Sequence, residues 1–468
     1  MTDFLFSEEK KTFPKPAIFF FGASLFFAVL WYWKFHALPL MQPDSESYMT
    51  FSPVRTIGYP FFLWVVKRIF GTLDVIPVIQ LSLLTFSVTY LANAFFRLTR
   101  GYFLTFALIA GVMINPGYIH VFNIMTEPVS VAILVAFMAT AINFFQKPSL
   151  KDLAQLSLFA GLAILVRPVH YAYIPILMIL GLITKFPIKV TIIRRFLTSV
   201  TPLFLLILLG CVGQYAKNGM FKLENLGGFN MIGKVSLIAE KEIPSRHPEF
   251  LKEALGFSVP TIDYLDKTPN LHIRYILSAP YYDYFRYSYL PEISKRLPVD
   301  DGVYAQTSWD IIKSYPIAYA QDVWMNFSAL WQLHDLLTVK EKMLLKSFID
   351  SHQPSPYIVY PWYPNTINFS IKHHPFFVWG LRLILLGIAV SGLIMLFGSL
   401  IALLRGREVM PLILTGATAA LVTQGHFLLI ALSQAGLPRY SFSMWPTIVF
   451  VGIIVLEIGR QKWKGQPT

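Results

Sequence analysis

A single cysteine, Cys211, occurs in 468 residues, so no disulfide within the chain can hold it together. Its place inside an apolar run marks it as a packing residue. Charge is scarce as well. Only 14% of residues are Asp, Glu, Lys or Arg, whereas 55% are hydrophobic, which is the composition of a polytopic membrane protein. Glycine-rich phosphate loops and dinucleotide fingerprints are absent from any strand-to-helix setting, which disfavours a nucleotide enzyme. The hydrolase elbow G-x-S-x-G is missing too. The histidines, including the pair at 373–374, lack metalloenzyme spacing. Almost no ionisable residue falls in the middle of an apolar run; Lys217, Arg382 and Glu457 lie near ends. Ion-coupled transport, which needs such groups near the midplane, therefore ranks low.

What the chain does have is long apolar runs. About ten approach the ~20 residues needed to cross a hydrocarbon core. They lie near 17–38, 75–96, 101–116, 129–145, 153–168, 169–186, 197–217, 376–404, 410–434 and 442–459. The expected fold class is an all-α polytopic membrane protein. The net charge of +13 concentrates in every second connection: "KKTFPK", "RLTR", "QKPSLK", "KFPIKVTIIRR", "RGR" and "RQKWK". By the positive-inside rule these connections and both termini are cytoplasmic. The segments 39–74, 117–128, the turn at Arg167–Pro168, 218–375 and 435–441 then face outward. The first apolar run has spanning length and no small-residue cleavage site after it, so it is expected to stay as an anchor.

Three parts follow: an N-terminal transmembrane module (1–217) with an outer loop at 39–74, an extracytoplasmic lobe (218–375), and C-terminal helices (376–468). The lobe is too long for an unstructured connection and shows helix-like stretches at 246–255 and 304–331. Its tyrosine-dense "YYDYFRYSYLPE" (281–292) could face sugar rings or anchor in the interface. Within the first loop, "YPFFLWVVKRIFG" (59–71) is too short to span and reads as an interfacial helix. Its Lys67 and Arg68 either snorkel to water or hold a lipid phosphate. Two outward sequons, Asn326 and Asn368, would be glycosylation sites in an endoplasmic reticulum protein.

Polar chemistry gathers at the outer helix ends: Asp44, Glu46, Arg55, Glu127, Arg167, His170, Arg439 and Tyr440. That is the layout of an enzyme working at the outer membrane surface. Glu127, Arg167 and Tyr440 also have an ordinary reading, as groups that pair or cap helix ends.

In this order and on this side, the motifs resemble the C superfamily of membrane glycosyltransferases (GT-C). The similar branch contains protein O-mannosyltransferases and aminoarabinose transferases acting on lipid A. The matching strings are "PDSESY" with Asp44 and Tyr48, "VRTIGYP" with Arg55 and Tyr59, and "TEP" (126–128). "GLAILVRP" (161–168), "NGMFKLENLGGFN" (218–230) and "PRYSFSMWP" (438–446) complete the set. Many relatives carry an Asp-Glu pair in the first loop; here Ser45 follows Asp44, and the next acid is Glu46.

The resemblance implies transfer of one sugar, with inversion, from a polyprenyl-phosphate donor to an acceptor hydroxyl. The acceptor would be a glycolipid, a cell-wall glycan or a protein, and the setting a bacterial inner membrane. Asp44 is the expected base. A carboxylate is ionised at neutral pH and can take the hydroxyl proton as the new bond forms. Arg55 and then Arg439 are the expected contacts to the departing phosphate, since a guanidinium offers a planar fork to phosphate oxygens. The resemblance leaves a divalent cation possible, since relatives differ in that dependence, but none is expected to be obligatory, because Asp44 and Glu46 alone make a thin oxygen site. Two rivals stand beside this reading: an oligosaccharide polymerase or ligase with a prenyl-pyrophosphate donor and arginines in its outer lobe, and a non-catalytic lipid or glycan transporter.

Overall fold

The structure is a computed structural model that describes residues 16–35, 39–42, 44–115, 121–183, 190–331, 339–351, 375–434 and 438–464. Among these residues the regular structure is helical, apart from one parallel bridge between Leu40 and Asn123. The helices of the first part are α1 (Pro16–Phe35), α2 (Ser45–Met49), α3 (Gly58–Phe70), α4 (Ile76–Thr99), α5 (Tyr102–Met113), α6 (Glu127–Gln146), α7 (Leu150–Val166), α8 (Tyr173–Ile183) and α9 (Ile192–Asn218). The lobe contributes α10 (Gly227–Val235), α11 (Pro248–Asp266), α12 (Leu271–Tyr284), α13 (Leu290–Ser294), α14 (Asp301–Ser314), α15 (Pro316–Trp331) and α16 (Val339–Ser351). The chain closes with α17 (Pro375–Leu404), α18 (Pro411–Ser433) and α19 (Pro438–Trp463).

Seven described helices are long and apolar enough to cross a membrane: α1, α4, α6, α9, α17, α18 and α19. They define a multi-pass membrane protein. The count is below the ten apolar runs expected, because three of those runs form shorter helices: α5 has 12 residues, α7 has 17 and α8 has 11. At ~1.5 Å per residue α5 is only ~18 Å long, against roughly 30 Å of hydrocarbon. Its last turn is closed by indoles. Trp31 Nε1 donates to the Met113 carbonyl at 2.7 Å, and Trp445 Nε1 to that of Gly111 at 2.9 Å. Carbonyls at a helix end would otherwise lack partners in apolar surroundings. Between α7 and α8, Pro168 opens a 3₁₀ turn, and the residue before it, Arg167, is extended, as sterics before a proline require.

α6 is buried almost along its whole length and forms the axis of the bundle core with Val88 and Phe95 of α4 and Phe427 of α18. By contrast, α1, α9 and α17 turn Phe26, Leu209 and Leu386 outward, the faces that lipid can cover. Cys211 packs partly buried against this core.

Residues 232–348 contain a second core, built on Ile232, Phe257, Tyr281, Phe285 and Ile311. The helix-like stretch at 246–255 extends through α11, and the one at 304–331 falls into α14 and α15, divided at Tyr315–Pro316. A buried ion pair, Lys234 to Asp322, ties α10 to α15. Asn326 donates to Asp322 from within α15 and is 3% exposed, so this sequon is closed to an acceptor role. Asn368 and the histidine pair at 373–374 lie outside the described residues.

Candidate active site

The first loop is fixed by backbone before any catalytic side chain is considered. Leu40 N–H donates to the Phe122 carbonyl at 2.7 Å, and Ile124 N–H returns to the Leu40 carbonyl at 3.2 Å. Ser45, fully buried, donates from Oγ to the Ile124 carbonyl at 2.9 Å and accepts from the Gln42 N–H at 2.8 Å. These bonds bring the start of α2 beside the start of α6, which sets Asp44 near Glu127. A second tether comes from α9. Gln214 donates to the Arg55 carbonyl and, at 3.2 Å, to that of Leu223. Asn225 N–H bonds the Pro53 carbonyl at 3.1 Å, so the segment after α9 lies along the first loop.

The result is one cavity of about 370 Å³ at the end of the bundle where these loops meet. Three guanidinium groups (Arg55, Arg167, Arg286) and three carboxyl groups (Asp44, Glu127, Glu224) line it, with Tyr48, Tyr287 and Tyr440. Apolar wall is supplied by Val166, Val169, Leu429 and Leu432. Within it Arg55 Nη2 meets Asp44 Oδ1 at 2.5 Å, and its Nε donates to Ser47 Oγ at 2.8 Å. The Tyr48 ring lies 4.6 Å beneath the same guanidinium, a cation–π seat that fixes its plane. On another wall Arg167 pairs with Glu127 at 3.5 Å, donates to Ser443 Oγ at 2.9 Å and overlies the Tyr440 ring.

Thus Asp44, Tyr48, Arg55, Glu127, Arg167 and Tyr440, chosen on sequence, meet in one place. Tyr59 stands behind them. Fully buried, it contacts Tyr48 edge-on and donates to Gln80 Oε1 at 3.2 Å. His170 also lies outside the lining, with Nε2 2.6 Å from Ser130 Oγ and its ring against His426. Glu46 is exposed and does not line the cavity. Lys67 and Arg68 are exposed on the last turn of α3, away from the lining. The Arg439 side chain lies outside the described residues.

Among the lining residues not singled out on sequence are Glu224, Arg286 and Tyr287. Glu224 follows α9 in the string "NGMFKLENLGGFN". Burial pushes its carboxyl up to about 7, partly opposed by Arg55, since loss of water penalises the charged form. Arg286 sits in the "YYDYFRYSYLPE" run. One signal was available there: an arginine amid five tyrosines is an unusual exception in an aromatic stretch. Tyr281 and Tyr282 of that run are core residues, whereas Tyr287 faces the cavity. Burial also raises the Tyr48 hydroxyl above its usual range, against the pull of Arg55, which keeps it a neutral donor.

Among the described residues, no group of three or more His, Cys, Asp or Glu side chains is placed to hold a metal ion. No family model matches the chain, and no curated protein or solved structure matches it either.

Proposed function

We propose that this chain is an inverting glycosyltransferase that moves one sugar from a polyprenyl-phosphate donor to an acceptor hydroxyl at the outer face of a bacterial inner membrane. The observation that carries the reading is convergence. Asp44, Arg55, Glu127, Arg167 and Tyr440 come from distant parts of the chain onto one cavity at the helix ends of an apolar bundle. The order of the motifs, which resembles the GT-C superfamily, gives that convergence its chemical sense.

In this mechanism the donor's prenyl tail approaches laterally along Val166, Val169, Leu429 and Leu432. Asp44 takes the proton of the acceptor hydroxyl as its oxygen bonds to the anomeric carbon. The bond from that carbon to the phosphate oxygen breaks on the opposite side, and the phosphate leaves with the electron pair. Arg55 does two things: it holds Asp44 in one rotamer through Oδ1, and it places positive charge where the departing phosphate gains negative charge. Glu127 keeps Arg167 oriented, and Arg167 in turn backs the Tyr440 ring.

Arg286 lends a specific observation to the rival that uses a prenyl-pyrophosphate donor, since it brings a lobe arginine to the cavity. Purified protein in liposomes, given the same sugar on a polyprenyl mono- or pyrophosphate, separates the two. Transfer is expected from the monophosphate alone, with the anomeric configuration inverted by NMR. Transfer only from the pyrophosphate would select the rival, and lipid movement without transfer would select a transporter.

A further inference from the structure

Arg286 is 5% exposed, and it is held as few buried cations are. Three rings clasp its guanidinium, with centroids 4.8 Å (Phe229), 4.6 Å (Tyr282) and 4.8 Å (Tyr287) away. Its ion pair with Asp283 is loose, Oδ1 standing 3.7 Å from Nη1, beyond hydrogen-bond length. Its Nε is buried and meets no acceptor among the described residues. A buried donor left so costs about 1–3 kcal/mol, more when charged.

The seat is built for this side chain. Arg286 lies on a π-helical turn, Phe285–Tyr289, a distortion that often marks a functional position. Across from it, a Cβ on Gly233 would fall 2.6 Å from the Arg286 Cγ and 2.7 Å from its Cδ, so glycine leaves room for the arginine stem. The residue lines the same cavity as Asp44 and Arg55. There Arg55 already gives Nη2 to Asp44 and Nε to Ser47, and Arg167 is engaged by Glu127 and Ser443. Arg286 differs in that its buried Nε has no acceptor among the described residues.

We infer that Arg286 is the seat of a phosphate-type oxyanion on the lobe wall of the cavity. A planar fork backed by aromatic faces suits such a group. The choice of phosphate over other anions rests on the proposed donor chemistry; the seat itself rests on the clasp, the unmet Nε and the space at Gly233. Two sources share the chemistry: the phosphate of the prenyl donor, and a phosphate carried by the acceptor.

The test measures binding and requires no sugar transfer. Purified full-length protein in detergent is titrated calorimetrically with inorganic phosphate, farnesyl monophosphate and a water-soluble sugar phosphate. Arg286→Gln should weaken binding at least tenfold. Arg286→Lys, which keeps the charge and loses the fork, should weaken it several-fold while leaving the unfolding midpoint near wild type. A larger loss for farnesyl monophosphate assigns the seat to the donor, and a larger loss for the sugar phosphate assigns it to the acceptor; either upholds it. Wild-type affinity for all three probes in both variants would overturn the inference, as would a wild-type protein that binds none. Failure to transfer sugar would sink the enzyme reading and leave this seat standing.

Discussion

Ser45, the residue after Asp44, has a structural role that its sequence position does not reveal. Position 45 is fully buried, and its hydroxyl bridges the Gln42 N–H and the Ile124 carbonyl, so a carboxylate there would be buried without room or water. The second carboxyl paired with an arginine in the cavity comes from α6 as Glu127, and Glu46 is exposed outside the lining. Ser45→Ala should cost about 1–3 kcal/mol by leaving the buried Ile124 carbonyl and the part-buried Gln42 N–H without this hydroxyl, read as a lower unfolding midpoint in detergent. Glu224 supplies a pH test. Burial pushes its folded carboxyl up to about 7, above an unfolded value of ~4.3, so the fold binds the extra proton between those values. Stability from this group is present at the lower pH and is lost as pH rises through the folded value. Glu224→Gln should flatten that slope between pH ~4.3 and ~7; an unchanged slope would remove Glu224 as its source. Asp44 and Arg55 were legible because each sits in a short polar string beside an apolar run. Glu224 and Arg286 were not, because only folding the segment after α9 and the lobe against the first loop makes them neighbours.

The Gly-Tyr-Pro element acquires a physical reason at the scale of helices. A Cβ on Gly58 would lie 2.5 Å from the Leu165 carbonyl oxygen, so α3 meets α7 backbone to backbone at its first residue. Tyr59 and Pro60 then bury into the small core of the first loop, which holds Arg55 at the mouth of α3. Gly58→Ala should push α3 away from α7, costing about 1–3 kcal/mol and lowering transfer together with the unfolding midpoint. Normal transfer and stability would show that the close approach does not matter. That 59–71 is a helix too short to span was readable in advance; the structure adds its faces, with Tyr59, Leu63 and Val66 inward and Trp64, Ile69 and Phe70 outward. Span length was harder to read. Hydropathy alone does not reveal that Trp31 and Trp445 close α5 early, nor that Pro168 divides α7 from α8.

For the whole molecule, the lone cysteine makes orientation directly measurable. In a Cys211→Ser background, Glu46→Cys should react with an impermeant maleimide on intact cells, and Lys147→Cys only after permeabilisation. The reverse pattern would place the cavity on the cytoplasmic side and exclude a donor presented at the outer face. The class of the molecule was legible from composition and periodicity, since apolar runs interrupted by basic connections leave few other folds. Its cavity was only partly legible, being assembled from residues 44 to 440 by contacts between distant segments. The central claim is that Asp44 takes the acceptor proton, and Asp44→Asn tests it most directly, because asparagine keeps the shape and an oxygen for Arg55 but gives up the base. In liposomes with a polyprenyl-phosphate sugar that the wild type uses, the variant should unfold near the wild-type midpoint and transfer about 10²–10⁴ times more slowly. Transfer at the wild-type rate would contradict the account.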